Sequence, residues 1–250
     1  MANYENQPAR YGTTAGAVGA IDEGLRAHMI RVYNYMLLGM VLTGVFALVT
    51  FNLAFTGSAG AYQLTSFGQA LFGSPLMWVI VLAPLGMVFF LSFRINKMSV
   101  GAAQLTFWIY AALVGVSLAT IFAVYTASSI TQVFFITAAT FGAMSLWGYT
   151  TQRDLTSMGS FLFMGLIGII IAMLVNIFLA SDALGFAISV IGVLVFTGLT
   201  AYDTQKIKEM YYVGDDGTVA GRKAIMGALS LYLDFLNLFL MLLSLFGNRE

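Results

Sequence analysis

Two aspartates interrupt apolar stretches of membrane-spanning length. Asp203 ends the apolar run Phe186–Tyr202, and Asp234 lies inside the run Ala224–Phe246. A charge inside such a segment is costly, so intramembrane carboxylates usually face protein or water and pair with another group. The two segments are consecutive, which favours their being neighbours in space. We predict a membrane-embedded carboxyl pair that exchanges protons or cations.

The expected chemistry of such a pair depends on its protons. Two carboxyl groups at hydrogen-bond distance do not both ionise readily, so we expect them to share a proton and to sense cytosolic pH. With both protons lost, Asp203 and Asp234 offer hard oxygen ligands to Ca²⁺. Two carboxylates are few ligands, so we expect weak, partly hydrated Ca²⁺ binding and no cofactor. An alternative for Asp203 is a surface salt bridge to Lys206 or Lys208.

The last apolar segment carries a polar face. Lys223 and six residues after it recur at spacings of four and three, which places them along one side of a helix. They are Lys223, Gly227, Ser230, Asp234, Asn237, Met241 and Ser244. Such a face avoids lipid, so we expect a central helix with Ser230 and Asn237 as pore-lining candidates. The alternative is that Ser and Asn only join helices by hydrogen bonds.

Arg94 is a candidate partner for the aspartates. It ends the second apolar segment, and its guanidinium can bind a carboxylate with two hydrogen bonds. We expect Arg94 to act as a latch that holds the aspartate site closed from the cytoplasm. The alternative is an ordinary basic anchor at the cytoplasmic membrane surface.

Composition defines the class of protein that holds these residues. The chain has 250 residues, of which 60% are hydrophobic and 9% charged, with a mean hydropathy of +0.88. This indicates an all-α integral membrane protein. There are no cysteines and one histidine, which excludes disulfides and multi-histidine metal sites. A net charge of zero argues against a nucleic-acid partner, and the lipid bilayer is the expected surrounding.

Seven apolar stretches are long enough, or nearly so, to span a bilayer as helices. They cover residues 31–54, 76–94, 103–126, 131–150, 158–180, 184–205 and 224–246. The runs are continuous rather than alternating, which excludes a β-barrel. We divide the chain into a cytoplasmic tail, residues 1–30, and a seven-helix transmembrane domain, residues 31–247. The tail is expected to be mostly disordered, with a short helix from about Ile21.

The N-terminal segment does not resemble a typical signal peptide, because the tail is long and polar and the following apolar run is long. We therefore expect no cleavage, with the small residues 58–61 as a weak alternative site. Ten basic residues would lie on the cytoplasmic side if the N-terminus is cytoplasmic, against Arg249 alone opposite. This asymmetry predicts an inner-membrane protein with a cytoplasmic N-terminus and an external C-terminus.

Five motifs carry a family resemblance. They are Arg31–Met36 (RVYNYM), Ser92–Arg94 (SFR), Met158–Leu162 (MGSFL), Ala201–Ile207 (AYDTQKI) and Leu229–Phe235 (LSLYLDF). Across about residues 25–247, the chain closely resembles the Bax inhibitor-1 family, the transmembrane Bax-inhibitor-motif proteins, and in particular its bacterial members. Both aspartates match the family pattern.

The resemblance implies seven helices, with the last enclosed by the other six, and a pH-dependent Ca²⁺ leak across the membrane. It implies that Asp203 and Asp234 form the pH sensor and that Arg94 latches them. Animal members restrain cell death, a pathway that a bacterial-looking chain does not have. Some bacterial members bind and modulate a membrane-anchored ATP-dependent protease, so regulation of such a protease is the leading alternative function.

An enzyme and an organic-substrate transporter are further alternatives. Intramembrane aspartyl proteases also use two aspartates, one as base and one as acid. Their second motif is Gly-x-Gly-Asp, whereas this chain has Tyr232-Leu233-Asp234. We therefore expect that the protein is not an enzyme. No inverted repeat is visible in the sequence to support a transporter.

Overall fold

The computed structural model describes residues 14–58 and 60–249, with side chains from Glu23 onward, and it is almost entirely helical. Seven long helices carry the fold. They are α1 (Thr14–Ala54), α3 (Leu76–Arg94), α4 (Val100–Leu118), α6 (Ala127–Thr150), α7 (Thr156–Leu179), α8 (Asp182–Glu209) and α9 (Gly217–Phe246). Shorter elements join them. These are α2 (Ser66–Phe72), α5 (Ile121–Val124), a 3₁₀ turn (Ile95–Lys97) and the antiparallel strands β1 (Phe55–Thr56) and β2 (Gln63–Leu64).

The seven predicted spans are confirmed. Each long helix contains a stretch of sufficient length and apolarity to cross a membrane, and each lies over one of the predicted segments. Helix α1 begins at Thr14, earlier than the helix expected from Ile21. Residues 1–13 of the predicted tail lie outside the described residues.

The connection before the last helix is shorter than predicted. The predicted spans 184–205 and 224–246 left residues 206–223 between them, but α9 already begins at Gly217. Asp216 caps it by accepting a hydrogen bond from the Val219 N–H at 2.7 Å, which satisfies one of the free amides at the helix start. Helix α8 continues to Glu209, so Asp203 lies six residues before the end of its helix.

The last helix is the most buried of the seven spans, as its polar face predicted. It packs along α8, α1, α6 and α4. Tyr232 on α9 is fully buried, and its hydroxyl lies 2.6 Å from Thr43 Oγ1 on α1. The Thr43 hydroxyl also hydrogen-bonds the Ala111 carbonyl on α4 at 2.9 Å. These buried bonds fix how α9 is rotated within the bundle.

Two glycines allow helices to cross at backbone contact. A Cβ on Gly148 of α6 would lie 2.2 Å from the Ala201 carbonyl oxygen of α8, and a Cβ on Gly115 of α4 would lie 2.5 Å from the Thr43 carbonyl oxygen of α1. Small residues allow such approach in membrane proteins, where apolar burial gives helices little reason to associate. These contacts hold α6 against α8 and α4 against α1.

The helices alternate in direction, so the basic residues gather at one end of the bundle. Hydrogen bonds between the loops at this end show that these loops lie together. Arg222 Nε donates to the Met98 carbonyl at 2.7 Å, and the Gln205 amide binds both the Leu155 N–H and the Arg153 carbonyl at 2.8 Å. At the other end, the Thr126 N–H donates to the Asn248 carbonyl at 3.0 Å. Arg10 lies outside the described residues.

Candidate functional site

Helices α8 and α9 form the most extensively packed helix pair, and their register brings the two aspartates together. Three antiparallel contacts set this register: Ser189 with Ser244, Gly192 with Met241, and Ile207 with Gly227. Continued along the helices, this register places Asp203 beside the turn of α9 that runs from Ser230 to Asp234.

The carboxyl groups of Asp203 and Asp234 lie within hydrogen-bonding reach of each other. Asp234 is 4% exposed, whereas Asp203 is half-buried. The Asp234 Oδ2 atom has no hydrogen-bond donor among the described residues. A buried carboxylate without donors is strongly disfavoured. A proton held between the two carboxyl groups satisfies both, because one group then donates to the other.

A cavity of about 480 Å³ opens onto the pair. It lies between α7, α8 and α9, and Ser230, predicted as a pore-lining residue, is part of its wall. Its lining residues are Gly159, Ser160, Phe163, Leu166, Phe196, Leu199, Tyr202, Asp203, Lys206, Ser230, Leu233 and Asp234. The structure therefore groups Asp203, Asp234 and Ser230 at one site that is partly open to the surroundings.

The contribution of α7 to this cavity was missed by the sequence reasoning. Gly159 lies against the Tyr202 ring so closely that a Cβ at this position would be 2.4 Å from a ring atom. The missing side chain gives Tyr202 its place in the cavity wall, next to Asp203. Gly159 lies in the segment Met158–Leu162, which was noted only for its family resemblance, and that was the available signal.

Two predicted site residues are not part of this cavity. Asn237 lies one turn beyond Asp234, and its amide donates to the Leu233 carbonyl of its own helix at 2.8 Å. Arg94 is exposed at the end of α3. Neither residue lines the cavity. Among the side chains that the structure describes, Arg94 forms no ion pair with either aspartate, so its role as a latch remains a prediction.

Lysines near the pair do not form the alternative salt bridge. Lys206 lines the cavity, and its ammonium lies 5.8 Å from the centre of the Tyr202 ring. Lys208 instead donates to the Tyr149 carbonyl at 2.9 Å. Within the described part of the chain, the one ion pair closer than 4.0 Å joins Lys223 to Asp215 at 2.5 Å. Asp203 therefore has the Lys206 ammonium nearby but forms no ion pair with it.

The polar face of α9 is turned mainly toward α8, and beyond the aspartates it is closely packed. Ser189 Oγ donates to Ser244 Oγ at 3.0 Å. Ser244 therefore joins two helices by a hydrogen bond, which was the alternative predicted for the serines of this face. A Cβ on Gly192 would lie 2.7 Å from Met241 Sδ, so no space remains there. The aspartate cavity is thus separated from the far end of the bundle by a packed contact between α8 and α9.

The aspartate site offers few oxygen ligands for a metal ion. Among the described residues, no group of three or more His, Cys, Asp or Glu side chains is arranged to hold a metal ion. Ca²⁺ takes six to eight oxygen ligands, of which Asp203 and Asp234 supply a minority. Water and the Ser230 hydroxyl would have to supply the remaining ligands of any Ca²⁺ ion bound there.

Comparison with known proteins agrees with this architecture. The chain is 49% identical over 241 residues to the uncharacterized protein RP147 of Rickettsia prowazekii, covering 95% of this chain and 96% of that protein. It is 48% identical over 230 residues to the inner membrane protein YbhL of Escherichia coli, covering 91% and 94%. A family model described as "Inhibitor of apoptosis-promoting Bax1" matches residues 25–250. The chain is an integral membrane protein with seven spanning helices, and it belongs to the Bax inhibitor family.

Proposed function

We propose that the protein is a pH-sensitive cation leak channel, with Ca²⁺ as a permeant ion, gated by Asp203 and Asp234. One observation carries the proposal: two carboxyl groups share a partly open cavity of about 480 Å³ inside the bundle, within hydrogen-bonding reach of each other. A purely structural pair of this kind would be expected to have cations or donors in contact, and the described residues supply none to Asp234 Oδ2.

The gating step follows from the charge on the pair. With one shared proton, the hydrogen bond between Asp203 and Asp234 holds α8 against α9. Loss of that proton leaves two negative charges at close range in a partly buried site, where their repulsion is stronger than in bulk water. The repulsion favours separation of the two helices, and the same charges attract Ca²⁺ into the cavity. For ions to pass, the packed contact between Gly192 and Met241 must open as well.

Ion flux into liposomes that contain only this protein tests the proposal. We expect Ca²⁺ entry to depend on pH across the physiological range and to be absent from protein-free liposomes. Folded protein that gives no flux at any pH would contradict the channel. It would instead support the alternative, a regulator of a membrane-anchored ATP-dependent protease, which needs a partner rather than a pore.

The proposed orientation places the aspartate cavity toward the cytoplasm of a cell with an inner membrane. It rests on the basic residues at that end of the bundle and on the location of YbhL, an inner membrane protein. A reporter that is active only after export, fused after Glu250, should therefore be active. A fusion at the Asp215–Asp216 connection should be inactive. The reverse pattern would contradict the orientation.

Arg94 tests whether a cation controls the closed state. In this structure its side chain is exposed and outside the cavity, so latching requires α3 to move toward the aspartates. We expect Arg94→Ala to raise basal flux and to flatten its pH response. Arg94→Lys should bring basal flux only partway back to the wild-type level, because an ammonium makes no forked bond to a carboxylate. Lys97→Ala is the matched control. Equal, wild-type flux in both alanine variants would reduce Arg94 to a membrane anchor.

A further inference from the structure

A second, larger cavity lies on a different side of the bundle from the aspartates. It has a volume of about 690 Å³ and runs between α1 and α6, two helices that are not among the closely packed pairs. Its walls include Met29 and Leu37 from α1 and Gly142 and Leu146 from α6, with Phe235 of α9 at its base. We call this cavity the α1–α6 groove.

The groove is open to the surroundings of the helices and is apolar except at one end. Leu37 is 58% exposed and Leu146 is 64% exposed. A Cβ on Gly142 would meet no atom within 4 Å, so the groove has open space there. In a spanning bundle, an open apolar groove of this kind faces hydrocarbon. An occupant must therefore be apolar where it lies against Leu37, Gly142 and Leu146.

One end of the groove is polar and positively charged. Arg26 lines it and is exposed. Tyr149 also lines it, and the Lys208 ammonium lies 5.6 Å from the centre of the Tyr149 ring. Lys208 donates one hydrogen bond, to the Tyr149 carbonyl, and an ammonium has three donors. Two cations from α1 and α8 therefore flank the polar end, and no carboxylate among the side chains that the structure describes, from Glu23 onward, lines the groove.

The length of the groove matches one leaflet of a bilayer. Along α1 it runs from Arg26 to Leu37, which at about 1.5 Å per residue is roughly 16 Å. Half of a hydrocarbon core of about 30 Å is roughly 15 Å. An acyl chain that starts at Arg26 would therefore end near Leu37. Basic pockets between spanning helices are known sites for anionic lipid headgroups.

We propose that the α1–α6 groove binds an anionic phospholipid, with an acyl chain along Gly142 and the headgroup phosphate between Arg26 and Lys208. The charge of the polar end selects an anionic headgroup, and the apolar walls select a long chain. This site does not depend on the aspartate pair. Its floor nevertheless contacts the helix of Asp203, because Tyr33 in the groove hydrogen-bonds Ser145, whose Oγ lies 3.0 Å from Thr204 Oγ1.

Native mass spectrometry of the full-length protein tests this site, with phosphatidylglycerol and phosphatidylcholine of identical chains as probes. We expect wild-type protein to retain phosphatidylglycerol in preference. At about 1 kcal/mol per basic residue near the membrane surface, Arg26→Gln should weaken its binding about fivefold, and Lys208→Gln should do the same. Lys97→Gln, which removes an exposed cation at the same end but outside the groove, should leave binding unchanged.

A separate substitution, Gly142→Leu, tests the part of the groove that would hold the acyl chain. Gly142→Leu fills the open space at Gly142 without removing a charge, so it should abolish retention of phosphatidylglycerol. Equal retention of both lipids, or unchanged retention in Gly142→Leu, would overturn the proposal. So would a dimer that Gly142→Leu disrupts while lipid retention persists, since the groove would then hold a second copy of the chain. Retention of glycerol phosphate as strong as that of the lipid would likewise exclude a chain in the groove.

Discussion

Asp203→Asn and Asp234→Asn should each abolish the pH dependence of Ca²⁺ flux near neutrality. Each substitution replaces a carboxyl group with an amide of similar shape that does not titrate, so the remaining carboxyl loses both its repulsive neighbour and the shared proton. In the wild-type pair, the single shared proton can change the ionised fraction by at most about tenfold per pH unit, and flux should follow that change. In the two variants, which lack this proton, flux should be the same at each pH near neutrality. The measurement is the liposome flux assay, repeated across pH.

The double variant distinguishes a coupled pair from two separate sites. Coupled carboxyl groups titrate as a unit, so Asp203→Asn with Asp234→Asn should add little to either single change. Strictly additive effects are expected of independent sites and would contradict a shared proton. Asp234→Asn should reduce flux more, because Asp234 is 4% exposed and Asp203 is half-buried. Asp182→Asn, an exposed aspartate in the first turn of α8, is the control and should retain the wild-type profile.

Gly148→Ala should cause the largest loss of stability among conservative substitutions in α6. The new methyl group would lie 2.2 Å from the Ala201 carbonyl oxygen and 2.8 Å from the Ala201 Cα atom. Backbone atoms cannot turn away as a side chain does, so α6 and α8 must separate. Overpacking of this kind costs about 1–3 kcal/mol. The free energy of unfolding of the detergent-solubilised protein is the quantity to compare.

The same helix provides a matched control. Gly142→Ala makes the same chemical change six residues earlier, where a Cβ meets no atom within 4 Å. It should leave the unfolding free energy unchanged or raise it slightly, because alanine favours helix more than glycine does. If Gly148→Ala and Gly142→Ala shift the unfolding free energy equally, helix propensity rather than the contact with Ala201 would determine the effect.

The helical architecture could be predicted because it depends on local properties of the chain. A bilayer requires about 20 apolar residues per spanning helix, and this requirement can be assessed segment by segment. All seven spans followed from it, as did the central position of α9 with its polar face. The boundaries were less accurate at α1 and α9, because the helices continue past the apolar residues. The start of α9 depends on the cap at Asp216, which hydropathy does not record.

The two aspartates could be identified from the sequence because a charge in an apolar segment is unusual wherever the chain folds. Their proximity could not be derived in this way. It depends on the register of α8 against α9, which contacts such as Gly192 with Met241 and Ile207 with Gly227 determine. Arg94 shows the opposite case, since its place at the end of α3 suggested a partner that the tertiary structure does not bring into contact.

The sequence by itself determined that this is a seven-helix membrane protein of the Bax inhibitor family with two intramembrane aspartates, because length, hydropathy and motif are properties of the linear chain. Only the tertiary structure decided what surrounds those aspartates. Three helices meet at particular rotations. These rotations produce the cavity wall where Gly159 contacts Tyr202, the position of Lys206 nearby and the packed contact between Gly192 and Met241. Those rotations are fixed by close glycine contacts and by buried bonds such as that of Tyr232 to Thr43, which join residues far apart in the chain.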